Sequence, residues 1–286
     1  MPELPEVESL SSALGERLRG ARVAGVTLRS VAALKTYDPP LDALCGLAVR
    51  GGTRHGKFID LQLPPLHLIV HLSRGGWIRL RDAATERAPV SLRGPLALSL
   101  GFEDGRGIDI TEHGKDKRLA VYVVRDPREV PGIARLGPDA LDAAFDVAAL
   151  GTLLSGQHGT IKSVLADQRL IAGIGNAYSD EMLHVARLSP FRRADTLTAE
   201  EVATLHVAMR EILEDALAEA RAASPETLKS AKKLRMRVHG RTGEACPVCG
   251  DTVREVAFTT RSFQYCARCQ TGGRVYADRR MSRLLK

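Results

Sequence analysis

Four cysteines near the C-terminus have the spacing of a metal site. They form two Cys-x-x-Cys pairs with sixteen residues between the pairs, at Cys246, Cys249, Cys266 and Cys269. Each pair presents two thiolates to one side, which suits tetrahedral zinc on a β-hairpin at Thr252–Tyr265. A hairpin this short cannot fold on burial alone, so the metal would stabilise it. Because thiolates fill all four positions, we predict a structural zinc rather than a catalytic one.

The N-terminus offers a possible nucleophile. Removal of Met1 would make Pro2 a terminal secondary amine, and α-amino groups have a pKa near 8. Such an amine can form an iminium with a sugar aldehyde, and the neighbouring Glu3 is a candidate general acid or base. Without other context, a terminal Pro-Glu is usually just a disordered start, so these two residues alone do not establish the chemistry.

A glycine-rich break between two helical stretches is a candidate anion site. Gly173 and Gly175 allow a tight turn and close backbone approach, and Asn176 stands at the start of the following helix. The free N–H groups at a helix N-terminus attract phosphate, and Lys162 on the preceding helix could add a positive charge. The alternative is a helical hairpin in which the glycines serve packing only.

The positive charge of the chain is concentrated at its C-terminal end. The net charge is +7, but from Glu226 onward there are 14 Lys and Arg against 5 Asp and Glu, and before it 27 against 29. A basic excess confined to one module favours a polyanionic partner such as nucleic acid, although a solvated surface would look the same.

Short β-strands are predicted for the first part of the chain. Seven runs rich in β-branched and apolar residues, separated by Gly, Pro or Asp turns, predict a two-layer sandwich or a flattened barrel. We interpret Cys45, in the second run, as an ordinary buried thiol. The predicted strands are Val23–Leu28, Leu44–Arg50, Phe58–Leu63, Leu66–Leu72, Trp77–Arg81, Leu96–Leu100 and Leu119–Val124.

Helices are predicted on both sides of this β-rich region. An apolar stripe predicts a helix at Leu4–Leu18, and helical spacing recurs at Asp139–Leu154 and in Gly159–Arg187. Thr198 and Glu201 have the spacing of a capping box that starts a long helix ending near residue 222. Pro225 then ends the helical region, and a basic linker follows. We therefore predict domains at residues 1–131, 132–225 and 226–286.

The composition excludes wholesale disorder, because 44% of the residues are hydrophobic and 26% are charged. No apolar run approaches the roughly 18 residues of a membrane span, and the first residues lack the features of a signal peptide. We expect a cytoplasmic, nucleoid-associated monomer without membrane contact. In a reducing compartment, five cysteines favour metal binding or chemistry over disulfides.

Three segments together resemble the formamidopyrimidine-DNA glycosylase / endonuclease VIII family. They are Met1–Glu8 (MPELPEVE), Ile171–Glu181 (IAGIGNAYSDE) and the four-cysteine tail that begins at Arg241–Cys246 (RTGEAC). They occur in the order that the family has them. The resemblance implies an α+β protein with an N-terminal two-layer β-sandwich and flanking helices, a helix-two-turn-helix domain and a C-terminal β-hairpin zinc finger.

The resemblance also implies a reaction and its residues. The family's enzymes remove damaged bases from double-stranded DNA in base excision repair, and they cleave abasic sites as lyases. Pro2 would attack C1′ of a nucleotide flipped out of the duplex, and the Schiff base would permit β- and δ-elimination. Glu3 would assist ring opening and proton transfer, Glu6 would order the site, and Lys57 would hold a backbone phosphate.

Phosphate contacts outside the catalytic domain follow from the same resemblance. Lys162 and Asn176 match phosphate contacts of the helix-two-turn-helix domain. Arg261, five residues before Cys266, matches the zinc-finger arginine that clamps the phosphates around the flipped nucleotide. A structural metal supporting a phosphate clamp agrees with the basic charge of the tail.

Three residues depart from the family's pattern where the gap left by the lost base is filled. Arg74 replaces a methionine, Thr111 replaces an arginine that reads the orphaned cytosine, and His113 replaces a phenylalanine wedge. The stretch Glu226–Arg237 is also shorter than the segment that closes over 8-oxoguanine. Selectivity for 8-oxoguanine opposite cytosine therefore does not carry over, although Arg74 and His113 could still occupy the gap.

Two alternatives to an active glycosylase are compatible with parts of the sequence. The first is a protein that binds damaged or abasic DNA with little base excision, which the three changed gap residues favour and the retained Pro2, Glu3 and Lys57 oppose. The second is a zinc-ribbon transcription protein with an unrelated N-terminal fold. That alternative requires the other two matching segments to be coincidence.

Overall fold

The computed structural model describes residues 1–83, 94–258 and 261–276. The chain divides into two compact units. The first contains Met1–Arg135 and Ala220–Lys229, and the second contains Leu136–Glu219 and Ser230–Lys286. Residues 220–229 thus belong to the same unit as the N-terminal 135 residues, although more than 80 residues separate them in the chain. The sequence did not predict this assignment.

The first unit is a helix followed by two antiparallel four-stranded sheets. One sheet has the strand order β1-β6-β7-β5 and the other β2-β3-β4-β8. The helix is α1 (Leu4–Arg17), as the apolar stripe predicted. The strands are β1 (Val23–Leu28), β2 (Gly51–His55), β3 (Phe58–Leu63), β4 (Leu66–His71), β5 (Gly76–Arg81), β6 (Leu96–Phe102), β7 (Gly107–Glu112) and β8 (Ala120–Val124).

One buried cluster joins both sheets and α1. Alternate residues of each strand enter it, because successive side chains of a strand point to opposite faces. Leu10 represents the helix, Leu61 and Val70 one sheet, and Leu98 and Ile110 the other; all are at most 2% exposed. The predicted two-layer β-sandwich is therefore confirmed.

The predicted strand at Leu44–Arg50 is wrong. A 3₁₀ turn covers Leu41–Leu44, and Gly46 has a left-handed backbone with φ +80°, which reverses the chain before a strand can form. Cys45 lies in this turn and is exposed, so its interpretation as a buried thiol is also wrong.

Two strands were missed by the sequence analysis. β2 reads Gly-Gly-Thr-Arg-His and lacks an apolar alternation, while β7 has only Ile108 and Ile110 as large apolar residues. Their pairing with neighbouring strands decides their conformation. Such tertiary control is ordinary for short strands.

Two glycines bring α1 against β2. A Cβ atom on Gly15 would lie 2.1 Å from the backbone nitrogen of Gly52, and one on Gly52 would lie 2.2 Å from the carbonyl oxygen of Ser11. Any side chain at either position would therefore collide with backbone. The contact holds the helix whose first turn follows Pro2 and Glu3.

The second unit contains a helical part and a small hairpin module. The helices are α2 (Val147–Ser155), α3 (Ile161–Leu165), α4 (Asn176–Val185) and α5 (Ala199–Ala222), and the last of these runs into the first unit. The capping box at the start of α5 is confirmed: the Thr198 N–H donates to Glu201 Oε2 at 2.8 Å, and the Glu201 N–H donates to Thr198 Oγ1 at 3.3 Å.

Helix α2 starts eight residues later than predicted. Asp139 and Asp142 each accept the backbone N–H two residues ahead, at 3.0 and 2.9 Å, which favours turns. Asp146 then accepts the N–H of Ala149 at 2.8 Å and caps the helix. In the first half of Asp139–Leu154, hydrogen bonds from the backbone to aspartate side chains therefore favour turns over the helix that the apolar spacing predicted.

The basic linker predicted after Pro225 contains a helix, α6 (Leu228–Arg235), whose first residue is buried. The hairpin of β9 (Val253–Ala257) and β10 (Ser262–Cys266) follows, and then the short helix α7 (Ala267–Gln270). Among the described residues, no helix is long and apolar enough to cross a membrane.

Replacing Gly15 with Ala tests the contact between α1 and β2. Alanine normally favours a helix, but here its methyl group would overlap the Gly52 backbone, so we expect a loss of about 1–3 kcal/mol in the free energy of unfolding. Thermal unfolding followed by circular dichroism measures it. Gly25→Ala is the matched control, since a Cβ there meets nothing within 4 Å. Equal stability of the two variants would contradict the proposed backbone contact.

Candidate functional site

The predicted catalytic carboxylates lie at the start of α1. Pro2, Glu3 and Glu6 are all buried, and Glu3 is the N-cap residue of the helix. The Glu3 N–H donates to Glu6 Oε2 at 2.8 Å, as half of a capping box. Glu6 thereby fixes the backbone next to Pro2. Its role in ordering a catalytic site stays a prediction.

Lys57 occupies the tight turn between β2 and β3. Gly56 supplies the left-handed residue of this two-residue turn, with φ +54°. Lys57 as a whole is only 6% exposed. Because the residue lies in a tight hairpin turn, the backbone of Lys57 is closely fixed. Its buried side chain therefore starts from a rigid position.

His71 is a candidate site residue that the sequence analysis did not single out. It pairs with Phe58 across β3 and β4, and the two ring centroids are 4.7 Å apart. Burial, and secondarily the charge of Lys57, lower the pKa of His71 to about 4. A neutral imidazole therefore lies within the electrostatic reach of Lys57 at neutral pH. The strand register that joins them could not be read from the sequence.

The turns that carry Arg74 and His113 are bound to each other. The His113 N–H donates to the Gly75 carbonyl oxygen at 2.9 Å, and a Cβ on Gly75 would lie 2.0 Å from the His113 oxygen. Both Arg74 and His113 are exposed. Thr111 lies two residues earlier in β7, opposite Trp77. The structure therefore brings together two of the three predicted gap residues, on turns that touch through their backbones.

Glu112 holds the segment that follows His113. The residue is 3% exposed, and its carboxylate accepts the backbone N–H groups of Arg118 and Leu119, at 2.5 and 2.7 Å. A buried carboxylate that receives two N–H donors satisfies both itself and the chain. Glu112 thus closes residues 113–118 into a loop, a role that its sequence position did not indicate.

In the second unit, Lys162 is fully buried. Its ammonium group forms an ion pair with Asp180, donates to the Asn176 carbonyl oxygen at 3.2 Å, and lies 5.2 Å from the centre of the Phe263 ring. These contacts bind α3, α4 and the hairpin to one another. A direct phosphate contact by Lys162 stays a prediction.

Asn176 begins α4 after the glycine-rich turn. Gly173 has φ +97°, and Gln168 fixes the turn: it accepts the Gly173 N–H at 3.0 Å and donates to the Ile174 oxygen at 2.6 Å. Asn176 Oδ1 is shielded from solvent and has no hydrogen-bond partner among the described residues. The turn therefore presents the side-chain amide of Asn176 at a helix N-terminus.

Arg261 lies exposed immediately before β10, and its carbonyl oxygen accepts the Phe258 N–H at 2.8 Å. A hydrogen bond from Arg169 lowers the pKa of Asp167, and the charge of Arg261 acts in the same direction. The arginine side chain is thus within electrostatic reach of the segment that precedes the glycine-rich turn.

The four predicted zinc ligands converge. Their Sγ atoms all lie within 4.8 Å of one another, with 3.9 Å between Cys246 and Cys269 and 3.4 Å between Cys249 and Cys266. Gly250, with φ +77°, turns the chain after the first pair. Four converging sulfurs without an open position fit a tetrahedral structural zinc.

Family models match three parts of the chain. Residues 1–113 match the formamidopyrimidine-DNA glycosylase N-terminal domain, residues 136–226 match the H2TH domain of the same glycosylase, and residues 243–272 match the zinc finger found in FPG and IleRS. The formamidopyrimidine-DNA glycosylase of Moorella thermoacetica is 36% identical over 265 residues, which cover 90% of this chain and 94% of that protein.

This chain belongs to the formamidopyrimidine-DNA glycosylase family. Its zinc-finger match and converging sulfurs together establish a structural zinc.

Solved structures of formamidopyrimidine-DNA glycosylases have the same fold. The Lactococcus lactis enzyme, in a structure with DNA that contains an AP site, has a TM-score of 0.83 at 27% identity and covers 94% of this chain and 99% of its own. MutM from Thermus thermophilus has a TM-score of 0.79 at 33% identity, covering 94% and 98%.

A relative from Mycobacterium tuberculosis has higher identity over a shorter length. This uncharacterized formamidopyrimidine-DNA glycosylase-like protein is 57% identical over 151 residues, which are 53% of this chain and 94% of that protein. Its name assigns the family without an established activity.

The lowered pKa of His71 predicts how the stability of the protein depends on pH. Its pKa is depressed from about 6.5 to about 4, so its contribution to stability is present above pH 6.5 and is lost as the pH falls towards 4. His71→Gln should therefore flatten the pH dependence of unfolding in that interval. NMR titration of the imidazole should give a pKa near 4, and Lys57→Met should raise it. Lys115→Met, on an exposed loop, is the control; titration of His71 near 6.5 would contradict the assignment.

Proposed function

We propose that the chain is a bifunctional DNA glycosylase and abasic-site lyase of base excision repair. The observation that carries this proposal is the buried Pro2 directly before Glu3 and α1, in a chain of the formamidopyrimidine-DNA glycosylase family. The chemistry requires removal of Met1, because only then is the Pro2 nitrogen a secondary amine.

The proposed reaction first removes the damaged base and then cleaves the DNA strand. The Pro2 nitrogen attacks C1′ of a flipped-out deoxynucleotide, the bond from C1′ to the base breaks, and the base leaves with a proton. Opening of the sugar ring gives an iminium between Pro2 and C1′. Loss of a C2′ proton then expels the 3′ phosphate, and loss of a C4′ proton expels the 5′ phosphate. Water finally hydrolyses the iminium, which breaks the bond between Pro2 and C1′ and releases the sugar remnant as an aldehyde.

The residues around Pro2 have separate tasks in this scheme. Glu3 carries a proton to the ring oxygen as the sugar opens, because its carboxyl group, next to Pro2 in the chain, can act as a general acid. Glu6 fixes the backbone of Glu3 through its hydrogen bond to the Glu3 N–H. Lys57 holds a phosphate near the reacting sugar, and the neutral His71 beside it offers a ring nitrogen for a hydrogen bond.

DNA binding is proposed for the second unit as well. The side-chain N–H group of Asn176, at the N-terminus of α4, and the exposed guanidinium of Arg261 can both donate to phosphate oxygens. The buried Lys162 donates to the Asn176 carbonyl oxygen and so fixes the start of α4. The Lactococcus lactis relative, solved with DNA that contains an AP site, supports damaged double-stranded DNA as the partner.

Recognition of the lesion differs from that of 8-oxoguanine opposite cytosine. Arg74 and His113 would enter the gap left by the lost base, and the hydrogen bond between His113 and Gly75 would keep their turns in register. A guanidinium can stack on bases and an imidazole can act as a wedge. Ring-opened purines, oxidised pyrimidines, abasic sites and other adducts remain substrates to be compared.

Trapping with borohydride tests the role of Pro2. The native, Met-free, zinc-loaded chain should form a covalent adduct with duplex DNA that contains one abasic site, because borohydride reduces the iminium to a stable amine. Peptide mapping should locate the adduct on Pro2. A form with extra N-terminal residues should lose the adduct, and Pro2→Gly, which replaces the secondary amine with a primary one, should give less of it.

Two results would overturn this mechanism. An adduct that persists in the N-terminally extended form would assign the reaction to another amine. Absence of any adduct in the native chain, with intact binding to abasic DNA, would establish the second candidate function: a DNA-binding protein with little base excision. The three changed gap residues Arg74, Thr111 and His113 favour that second function.

The phosphate contact of Arg261 is tested through salt dependence. Arg261→Ala should weaken binding to all duplex sequences and reduce the slope of log affinity against log salt by about one. Fluorescence anisotropy at several salt concentrations measures this slope. Arg268→Ala, an exposed arginine of the same module, is the matched control. If only one base context loses affinity, Arg261 reads bases instead of phosphate.

A further inference from the structure

His184 is a buried histidine that the catalytic scheme does not use. It lies near the end of α4 and is only 2% exposed. The imidazole faces the zinc-binding module: its Nε2 atom is 3.2 Å from Sγ of Cys246, within hydrogen-bond distance for sulfur. A buried histidine beside a metal ligand is unexplained by packing alone.

The surroundings of the ring decide which nitrogen carries the proton. Nδ1 of His184 is shielded from solvent and has no hydrogen-bond partner among the described residues. A proton on Nδ1 would be a buried donor without an acceptor, which costs about 1–3 kcal/mol. With the proton on Nε2, the ring donates to the sulfur instead, and a thiolate is an acceptor only.

His184 lies outside the set of zinc ligands. The Sγ atoms of the four cysteines all lie within 4.8 Å of one another, and no histidine among the described residues joins that group. The four sulfurs already complete a tetrahedron. The role open to His184 is therefore to act on Cys246 and not on the metal itself.

The negative charge of a four-cysteine zinc site makes an N–H donor to one of its sulfurs stabilising. Four thiolates around one divalent zinc ion leave a net charge of −2, and Cys246 and Cys266 are buried away from water. An N–H group directed at a thiolate stabilises the negative charge and fixes the direction of the sulfur. Partners of this kind commonly change metal affinity 10- to 100-fold.

Helix α4 also binds the segment that precedes the zinc module, and the module itself, through two acidic side chains. Glu181 accepts the backbone N–H groups of Arg237, Val238 and His239 at 2.7–3.0 Å. Asp180 accepts the Gln264 N–H at 3.1 Å. These bonds fix the backbone before the first cysteine and within β10, whereas the His184 bond reaches a zinc ligand.

We propose that His184 is a positioning residue of the zinc site, in which Nε2–H donates to the Cys246 thiolate and retains the metal. The bond also ties the metal site to α4, the helix that begins at Asn176. The proposal concerns zinc retention and does not depend on any glycosylase activity.

Two variants separate the hydrogen bond from packing. His184→Leu fills the space with an apolar side chain and removes the donor, and we expect a 10- to 100-fold increase in the zinc dissociation constant. His184→Gln places an amide N–H near the position of Nε2 and should restore most of the affinity. Competition with a fluorescent zinc chelator, on the full chain without DNA, measures both.

The control is His206→Leu. His206 lies on α5 in the same unit, and its Nε2 is hydrogen-bonded to the Phe145 carbonyl oxygen at 2.9 Å, away from the cysteines. This variant should keep the native zinc affinity. Thermal unfolding of the zinc-loaded variants identifies any that fail to fold.

Cobalt substitution gives a readout that packing would not change in this way. Native protein loaded with Co²⁺ should show the absorption of a tetrathiolate site, and loss of the donor in His184→Leu should move the sulfur-to-cobalt charge-transfer band to lower energy. His184→Gln should move it back towards the native position.

Three results would overturn the proposal. The first is native zinc affinity and an unchanged cobalt spectrum in His184→Leu. The second is an equal loss of affinity in His184→Gln, which would assign the effect to packing. The third is a native cobalt spectrum of three sulfurs and one nitrogen, which would make His184 a ligand.

Discussion

The buried ion pair between Lys162 and Asp180 is the interaction on which the second unit depends. Both side chains are fully shielded from water, so each charge is tolerable only because the other is present. Removing one partner of such a pair typically costs about 3–5 kcal/mol. Asp180 also accepts the Gln264 N–H and contacts His239 Nδ1 at 2.9 Å. One carboxylate therefore joins α3, the hairpin and the chain that leads to the zinc module.

A backbone constraint has the corresponding role in the first unit. Helix α1 reaches β2 only because Gly15 and Gly52 carry no side chain. The helix in turn fixes the segment in which Glu6 accepts the Glu3 N–H beside Pro2. A nucleophile on a free chain end would be mobile, and proximity can lower a barrier only when the reacting groups are held in place. The glycine contact thus serves the chemistry proposed for the N-terminus.

Polar side chains that hold backbone turns recur beside the candidate site residues. Glu112 closes the loop after His113, and Gln168 braces the turn before Asn176. His184 extends this pattern to the zinc ligand Cys246. In each case a supporting side chain fixes the residue that would meet DNA or metal. Supporting residues of this kind determine how accurately a site is held.

Signals that act over a few residues let the sequence by itself determine much of the protein. The cysteine spacing specified the zinc site, Thr198 and Glu201 specified the start of α5, and the alternating strands specified the sandwich, because each pattern reports a local preference. Where local signals competed, prediction failed: the aspartates of Asp139–Leu154 delayed α2, and Gly46 excluded the strand expected around it.

Tertiary structure alone decided which side chains meet and which are buried. Lys162 and Arg261 are both basic in the sequence, yet one is fully buried in an ion pair and the other is exposed. Gln264 is 84 residues from Asp180, and Cys246 is 62 from His184, so no local pattern could pair them. Residue types state what a side chain can do, whereas burial and partners, fixed by the packing of distant segments, decide which of those roles it has.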